Sequence, residues 1–364
     1  MLCLKLFIEY DDLMYAPVNM KTKFLNMLKK YFRVLSARLI QFLFIIIFPR
    51  IRRVAITYAA DDSDCQDGIG AQMQRIFGIK SVSHALHIPY IHSPIVDFIV
   101  TQLDPVQSKI ERVRYIDVVE HKIFNNFKNY PVLVKNPDRI IIVSNLNLKL
   151  LICYILKSFV TRQTFLLKIK LPYPLIDNFS LWYTSLDSLI SLKSSATKLD
   201  ENLLTVAVHF RNGTSSQFTN KEGRWLSDKY FANLLAVIAE RNPDKNIKIS
   251  ILTDSPETLI QYQPPDEHIE KWKNAGVNFS NSMATIQPFD FKNSEFCRFN
   301  HVSIVHGGDP LEALEIMANS DFLIIGRSSL SYCAAVLNKA GTVIYPPSFW
   351  HALKPGWKTS QDFA

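Results

Sequence analysis

The sequence feature that most constrains the fold is a series of short apolar runs, each followed by a polar turn and then by a helix-forming stretch. The clearest run begins at Leu203 and ends in residues 209–214, His-Phe-Arg-Asn-Gly-Thr. A short unbroken run of aliphatic and β-branched residues is typical of a buried parallel strand, and Asn-Gly marks the turn that ends it. Repeats of this unit predict an open α/β sheet.

The same alternation continues through the second half of the chain. We predict strands over residues 248–254, 302–305, 321–326 and 342–345, and helices over residues 226–240, 310–319 and 332–338, with another helix beginning at Ser255 and Pro256. Ser227 is a plausible N-cap of the first of these helices.

The first half repeats the pattern less regularly. Residues 53–60, 71–86 and 88–92 predict a strand, a helix and a second strand, and residues 139–144 and 148–159 predict a strand and a buried helix. At 364 residues the chain is too long for one ordinary core. We therefore predict an α/β chain with two doubly wound, Rossmann-like domains, residues 54–198 and 199–364, and a ligand-binding cleft between them.

Positive charge is concentrated at the N-terminus. The formal net charge is +8, and residues 1–53 hold ten lysines and arginines against three acids, a net charge of +7. Since the rest of the chain is nearly neutral and has no basic stripe with interleaved aromatic residues, nothing in it indicates nucleic-acid binding.

Within this basic segment, residues 39–48 form an apolar run between arginines. Ten residues are too few to cross a bilayer, which needs about 20. Arginines near one end of a span can extend their heads to the interface, so a short signal-anchor, an interfacial helix and a plain buried helix all remain open. Basic flanks on both sides favour association with a membrane surface.

Cysteine spacing gives no sign of a metal centre. The five cysteines are Cys3, Cys65, Cys153, Cys297 and Cys333, and none forms a C-x-x-C pair. This scatter argues against a zinc site and against a disulfide framework.

Polar side chains follow four of the predicted strands in the second half. Parallel strands bring their carboxyl ends to one edge of a sheet, where ligands bind. Arginine suits phosphate oxygens, and serines ahead of a helix N-terminus donate to them. The candidate ligands of a nucleotide diphosphate are His209, Arg211, Asp254, Asp309, Ser328, Ser329 and Ser331. Helix capping and structural ion pairs are the alternative roles for these residues.

A second candidate contact lies in the first half, where the first strand meets its helix. Gly68, Gly70 and Gln72 belong to the sequence Gly-Ile-Gly-Ala-Gln. Glycines at such a junction permit a tight turn, and the helix N-terminus that follows can bind an anion. Since the full G-x-G-x-x-G pattern is missing, a dinucleotide site is not implied, and a purely structural turn is the alternative.

Three of these stretches resemble one enzyme family. Residues 209–214 resemble the H-x-R-R-G-D-like signature of the GDP-fucose-dependent fucosyltransferases, the superfamily of α1,2-, α1,6- and protein-O-fucosyltransferases. Residues 313–332 resemble that family's later motif, in which a helix, a strand and an S-S-F-S-type loop follow each other, and residues 68–72 resemble its G-x-G-x-Q loop. Asn212 replaces the second arginine of the signature and Thr214 replaces its aspartate.

The resemblance implies a GT-B fold, a nucleotide sugar bound by the C-terminal domain, a glycan acceptor on the N-terminal domain, and inversion without a metal. Arg211 stands where the family binds the donor phosphates. One-step inversion needs a base for the acceptor hydroxyl, and Glu222 is the nearest carboxylate after the signature. The hypothesis is thus transfer of fucose from GDP-fucose without a further cofactor. There are two alternatives. One is a transferase that uses another nucleotide sugar, and the other is a non-catalytic protein that binds a nucleotide or a glycan.

Under this hypothesis, the cellular compartment of the protein depends on the kind of organism that it comes from. A basic-flanked apolar segment ahead of a glycosyltransferase suits a Golgi type II protein in a eukaryote, and a cytoplasmic or membrane-peripheral enzyme elsewhere.

Overall fold

The structure is a computed structural model that describes residues 53–65, 67–98, 105–128, 136–176, 202–212, 225–262, 269–270, 273, 279–280, 283–306 and 310–363. The apolar run over residues 39–48, on which the membrane prediction depends, lies outside these residues. Among those described, no helix has the length and apolar character to cross a bilayer.

The N-terminal half, residues 53–176, is built on a three-stranded parallel sheet in the order β1-β3-β2. Its elements are β1 (Val54–Tyr58), α1 (Ile69–Leu86), α2 (Pro105–Lys122), α3 (Asn125–Lys128), β2 (Arg139–Asn145), α4 (Leu148–Thr161), β3 (Phe165–Leu171) and α5 (Tyr173–Ile176). The predicted strand over residues 88–92 is reduced to one parallel bridge between Ile56 and Tyr90.

The C-terminal half, residues 202–363, is built on a six-stranded parallel sheet. Its elements are β4 (Leu203–Phe210), α6 (Asp228–Arg241), β5 (Asn246–Thr253), β6 (Ile260–Tyr262), β7 (Phe279–Ser280), β8 (Met283–Ile286), β9 (Val302–His306), α7 (Pro310–Ala318), β10 (Phe322–Ile324), α8 (Ser329–Leu337), β11 (Thr342–Tyr345), β12 (Lys358–Thr359) and α9 (Ser360–Phe363). The parallel order is β12-β11-β10-β4-β5-β9, while β6, β8 and β7 form a small antiparallel sheet.

The strand order of the six-stranded sheet reverses beside β4. The chain runs from β4 to β5 and β9 in one direction, then returns to β10 on the other side of β4 and continues to β11 and β12. Such a reversal opens a crevice at the carboxyl ends of the two strands, because the connections leave on opposite faces. The crevice here lies between the ends of β4 and β10.

Alternation along β4 divides its side chains between two apolar clusters. Val206, Val208 and Phe210 pack with α6, whereas Ala207 faces the larger cluster, which includes residues of both sheets. Side chains in a strand alternate between faces, so His209 shares the face of Ala207. That face is turned toward the N-terminal half.

The predicted fold class is confirmed: the chain is α/β, with two parallel, Rossmann-like sheets. Two local predictions are wrong. No helix follows Ser255 and Pro256, where the described chain bends and then enters β6. Helix α4 is not buried as a whole, because only Leu151, Ile155 and Ser158 are buried along it.

Both helices that follow the predicted ligand loops begin earlier than the sequence pattern indicates. Helix α1 begins at Ile69 rather than at Ala71, and α8 begins at Ser329 rather than at Tyr332. Gly70, Ser329 and Ser331 therefore lie in first helical turns.

Candidate functional site

The crevice between β4 and β10 is closed at its base by a backbone contact. A Cβ atom on Gly326 would lie 2.5 Å from the carbonyl oxygen of His209 and 3.0 Å from its Nδ1. Only a residue without a side chain allows this approach. The loop after β10 thus passes directly over the imidazole of His209.

His209 is a buried, neutral imidazole at this crevice. Its side chain is only 8% exposed, and its Nδ1 has no hydrogen-bond partner in the described part of the chain. Burial, together with the positive charge of Arg211, lowers the pKa of His209 to about 3. A buried polar atom without a partner is costly, and the loop at Gly326 covers this one.

Arg211 follows β4 and is positioned by the end of the neighbouring strand. Its Nε lies 3.6 Å from Oδ2 of Asp254, and Oδ1 of Asp254 accepts from the backbone nitrogen of Asn212 at 2.7 Å. Asp254 therefore holds the turn after β4 in place. The sequence predicts that this carboxylate binds the nucleotide diphosphate. In the structure it contacts Arg211 and Asn212.

Ser328 immediately precedes α8 at the same edge. It occupies the N-cap position, but its side chain makes no capping hydrogen bond. The first turn of α8 carries no acidic residue. Helix N-termini expose unpaired amide groups and partial positive charge. Ser328 and the α8 amides together form a place for an anion.

The two serines that follow have different surroundings. Ser329 Oγ lies 3.4 Å from Nε2 of His351 and is half-buried. Ser331 is fully buried, and its hydroxyl donates within the loop to the carbonyls of Gly326 and Ser328. Ser331 is predicted to contact the nucleotide diphosphate, but its buried hydroxyl instead stabilises the loop.

The N-terminus of α1 meets the N-terminus of α8. A Cβ atom on Gly70 would lie 2.5 Å from the backbone nitrogen of Leu330, and Sγ of Cys333 donates to the carbonyl of Gly70. Gly68 is the N-cap of α1, again without a side-chain cap, and a Cβ there would meet open space. Two helix N-termini from the two halves therefore converge at the crevice.

Gln72 does not lie on the surface of the cleft. It is fully buried, and its Nε2 donates to the carbonyls of Asp67 and Asp97 at 2.8 Å and 2.7 Å. Its place in the G-x-G-x-Q pattern is therefore structural, because it ties the loop before α1 to the segment after Tyr90.

Asp67 is an exposed carboxylate for which the sequence pattern predicts no role. Its Oδ2 accepts from Nη2 of buried Arg75 at 2.9 Å, and its Oδ1 accepts from the backbone nitrogen of Gly68 at 2.7 Å. Its side chain is 54% exposed. The signal in the sequence was an acid directly before Gly68, with a basic residue two turns into the following helix.

A cluster of rings joins the two halves beside this carboxylate. The ring of Tyr173, from the N-terminal half, lies 5.1 Å from that of His351, and the ring of Tyr332 lies 5.2 Å from it on the other side. The indole nitrogen of Trp350 donates to Nε2 of His351 at 2.7 Å. Trp350 itself is 44% exposed.

The indole contact fixes the protonation of His351. Because an indole nitrogen only donates, Nε2 of His351 must accept, and the single proton of the neutral imidazole lies on Nδ1. Nδ1 is buried without a hydrogen-bond partner among the described residues, and burial lowers the pKa of His351 to about 3.

Two predicted site residues cannot be placed, since Asp309 and Glu222 lie outside the described residues. Within the described residues, no group of three or more histidine, cysteine or acidic side chains is arranged to hold a metal ion. The described cysteines, Cys65, Cys153, Cys297 and Cys333, are free thiols.

No protein-family model matches the chain, and no curated protein matches it. Several solved structures are similar to it, and three of them are E. coli heptosyltransferases. E. coli heptosyltransferase WaaC with ADP has a TM-score of 0.34 at 12% identity, over 84% of this chain and 92% of that one. WaaC with ADP-2-deoxy-2-fluoro heptose has a TM-score of 0.32 at 12% identity, over 84% and 92%. E. coli ADP-heptose LPS heptosyltransferase II has a TM-score of 0.30 at 11% identity, over 85% and 93%.

Proposed function

We propose that the chain is an inverting glycosyltransferase that uses a nucleotide-sugar donor without a metal, with GDP-fucose as the first candidate donor. The observation that carries the proposal is the crevice between β4 and β10. Gly326, two residues before the uncapped N-terminus of α8, lies against His209, and Arg211 follows β4 at the same carboxyl edge of the sheet. The N-terminal half reaches this edge through Gly70, which lies against Leu330 at the start of α8.

These groups suit a pyrophosphate. Amide groups at the start of α8 and the hydroxyl groups of Ser328 and Ser329 supply donors for phosphate oxygens. Arg211 supplies positive charge, and Asp254 holds it near the turn. Hydrogen-bond donors held toward the diphosphate stabilise the negative charge that develops on it as its bond to the anomeric carbon of the sugar breaks.

The acceptor hydroxyl needs a base on the opposite side of the sugar from the leaving group. Asp67 fits this role, because Arg75 and the Gly68 amide hold an exposed carboxylate at the start of α1. Helix α1 contacts α8 through Gly70. We place the base here in the first instance, with Glu222 as the second candidate.

GDP-fucose is proposed from the motif resemblance, in which Arg211 stands at the phosphate-binding position. Asn212 and Thr214 depart from the same signature, and this favours a second candidate, a transferase for another nucleotide sugar. A glycan acceptor would lie along the N-terminal half. Attachment through residues 39–48, and the compartment that goes with it, stay predictions.

A donor screen on the full chain tests the proposal. GDP-fucose, other GDP-sugars, UDP-sugars and ADP-heptose are incubated with the protein, and release of the free nucleotide is measured with and without EDTA. We expect release from one donor class, unchanged by EDTA. Calorimetric titration with GDP, UDP and ADP measures nucleotide affinity separately.

Arg211→Ala is the diagnostic variant, with Arg298→Ala as its control, because Arg298 is a half-exposed arginine of the same half that pairs with Glu295. We expect R211A to weaken nucleotide binding by tenfold or more, on the order of one lost charge-assisted contact, while R298A binds as the wild type. Equal nucleotide affinity in R211A and the wild type would overturn the site. Nucleotide binding without release from any donor would favour a non-catalytic binding protein.

A further inference from the structure

Strand β2 is an edge strand of the N-terminal sheet. The order β1-β3-β2 leaves β3 as its neighbour on one side. In the part of the chain that the structure describes, no strand pairs with its other side and no backbone hydrogen bond is made there. Five of its seven residues are exposed. An exposed edge of this kind is a template for pairing with another strand.

An apolar row crosses the N-terminal sheet and ends at this edge. Ala55 of β1 pairs with Leu166 of β3, which pairs with Ile140 of β2. The exposed fraction rises along the row, from 0% for Ala55 and 9% for Leu166 to 56% for Ile140. Ile142 is 58% exposed and lies on the same face as Ile140, because side chains alternate along a strand. Two large apolar side chains therefore face water at the edge.

The sequence of β2 does not protect this edge. Proteins protect exposed edge strands with lysines, prolines or bulges. Residues 140–145 are Ile-Ile-Ile-Val-Ser-Asn, without charge or proline, and β2 keeps a regular register with β3 from Arg139 to Asn145. Isoleucine and valine also favour a strand. The edge is therefore better suited to pairing with a strand than to facing water.

The backbone groups of β2 alternate between β3 and the open side. The amide of Arg139 donates to the carbonyl of Thr164, which directly precedes β3. Because successive residues direct their backbone groups to opposite sides of a strand, those of Ile141 also face β3. Those of Ile140 and Ile142 face outward. The two residues with exposed apolar side chains thus also carry the outward backbone donors and acceptors.

We propose that β2 pairs antiparallel with β2 of a second copy of the chain, about a twofold axis at Ile141. Two three-stranded sheets then become one six-stranded sheet. In this register Ile140 lies opposite Ile142 of the second copy, and Ile142 lies opposite Ile140, as two hydrogen-bonded pairs. A twofold contact uses the same surface on both chains, so this surface must be complementary to itself.

Side chains favour this register over the next one. Centred on Ile141, the pairing sets isoleucine against isoleucine twice, and apolar cross-strand pairs stabilise a sheet. Centred on Ile142, it would set Ile140 against Ser144 instead. The register at Ile141 therefore removes the most apolar surface from water.

Charge favours a second copy as the occupant of this edge. Asp138 and Arg139 are the charged residues at its start. In the proposed pairing Arg139 lies opposite Val143 of the second copy and Asp138 lies opposite Ser144, so like charges do not meet. A peptide recognised by its charge would need a charged row along the edge, and residues 140–145 are neutral. The edge is thus complementary to itself.

The size of the contact predicts a weak dimer. Strand β2 has seven residues, whereas a stable dimer interface takes roughly 20–30 residues on each side. We therefore expect a dissociation constant on the order of micromolar or higher. The candidate site stays open in the dimer, because the crevice and Asp67 lie at carboxyl edges of the sheets and not along the free side of β2. The inference is independent of the proposed glycosyl transfer.

Sedimentation equilibrium of the full chain tests the dimer. The weight-average mass should rise from 41.8 kDa toward twice that value as the protein concentration increases. Ile140→Lys with Ile142→Lys should weaken the dimer at least tenfold, because lysine on an edge strand opposes pairing. Val113→Lys is the matched control, since Val113 is 55% exposed on α2 of the same half; it should dimerise as the wild type does. Urea unfolding checks that both variants keep the fold.

Cysteine crosslinking tests the register. Exposed Cys153 and Cys297, together with Cys3, are changed to serine, and Ile141→Cys is compared with Ile142→Cys. Residue 141 faces its own copy across the axis as a non-hydrogen-bonded pair with Cα atoms about 4.5 Å apart, within the range of a disulfide. Residue 142 lies diagonally from its own copy, at about 7–8 Å, which is beyond that range. Mild oxidation should therefore link I141C into a dimer and leave I142C as single chains.

Three results would overturn the inference. A mass of one chain at every concentration would show that the edge of β2 stays unpaired. A dimer that persists in the folded variant with both lysines would be held by another surface. A disulfide through residue 142 in preference to residue 141 would contradict pairing about Ile141.

Discussion

The point at which Gly70 would carry a Cβ atom lies 2.5 Å from the backbone nitrogen of Leu330. Gly70 belongs to α1 of the N-terminal half and Leu330 to α8 of the C-terminal half, so the two halves touch there backbone to backbone. Both residues lie in the first turn of their helices. The contact therefore sets the distance between two helix N-termini, and with it the width of the candidate site.

Gly70→Ala is expected to destabilise the protein. The added methyl group would press on the backbone of Leu330 rather than on a flexible side chain, so α1 and α8 must move apart. We expect the free energy of unfolding to fall by about 1–3 kcal/mol. Urea unfolding measures this loss. Gly68→Ala is the control, since a Cβ there meets nothing within 4 Å and the φ of Gly68 is −53°. G68A should change stability by less than about 1 kcal/mol. Equal losses in both variants would contradict the prediction.

Ser328→Ala is expected to separate stability from nucleotide binding. A serine N-cap that bonds to its helix contributes about 1 kcal/mol, but Ser328 makes no such bond. S328A should therefore unfold at nearly the wild-type urea concentration, while nucleotide affinity in calorimetry falls about threefold to tenfold. Ser227→Ala is the matched variant, because Ser227 Oγ accepts from the backbone nitrogen of Tyr230 at 3.2 Å. S227A should show the opposite pattern, and a common loss of stability in both would contradict the role given to Ser328.

The sequence predicts the strands well because each is a short apolar run ended by a turn residue. The run after Leu203 became β4, and the run over residues 342–345 became β11 with the predicted bounds. Period-two alternation predicts only that His209 and Arg211 share one side of the chain, and it does not tell which side faces the N-terminal half. The strand order, which creates the crevice between β4 and β10, is not contained in any local pattern.

Helix starts and side-chain contacts are harder to predict because they depend on distant partners. Helix α1 begins at Ile69 and packs by Gly70 against α8. The G-x-G-x-Q pattern predicts that Gln72 faces the cleft, but its Nε2 donates to the carbonyl of Asp97, a residue 25 positions away. The apolar composition of helix α4 predicts a buried helix, but composition alone does not tell which side of the helix the sheet covers.

Acid is expected to destabilise the protein through its buried histidines. The pKa of His351 is about 3 when folded, because burial disfavours the charged imidazole, whereas an unfolded histidine has a pKa near 6.5. Between these values the unfolded chain binds a proton that the folded chain does not, so stability falls as the pH drops from about 6.5 toward 3. The slope is about 1.4 kcal/mol per pH unit for each such histidine.

Urea unfolding at several pH values measures this slope, and His351→Gln should reduce it. The matched control for loss of one imidazole is His121→Gln, since His121 is exposed on α2. An unchanged slope in H351Q would show that His351 gains its proton without unfolding.

Asp67→Asn is expected to slow glycosyl transfer without weakening nucleotide binding. The amide keeps the shape of the side chain but cannot take a proton from the acceptor hydroxyl, so kcat should fall by about 100-fold or more. Nucleotide affinity in calorimetry should stay at the wild-type value, because Asp67 precedes α1 in the N-terminal half, whereas the proposed phosphate contacts are Arg211 and the N-terminus of α8 in the C-terminal half. Asp61→Asn is the matched control: Asp61 is a similarly exposed carboxylate of the same loop region that pairs with Lys168. D61N should keep the wild-type kcat.

Two outcomes would contradict this role. If D67N also keeps the wild-type kcat, the base lies elsewhere and Glu222 becomes the residue to change. If D67N loses nucleotide affinity, Asp67 shapes the nucleotide-sugar site instead of acting as the base.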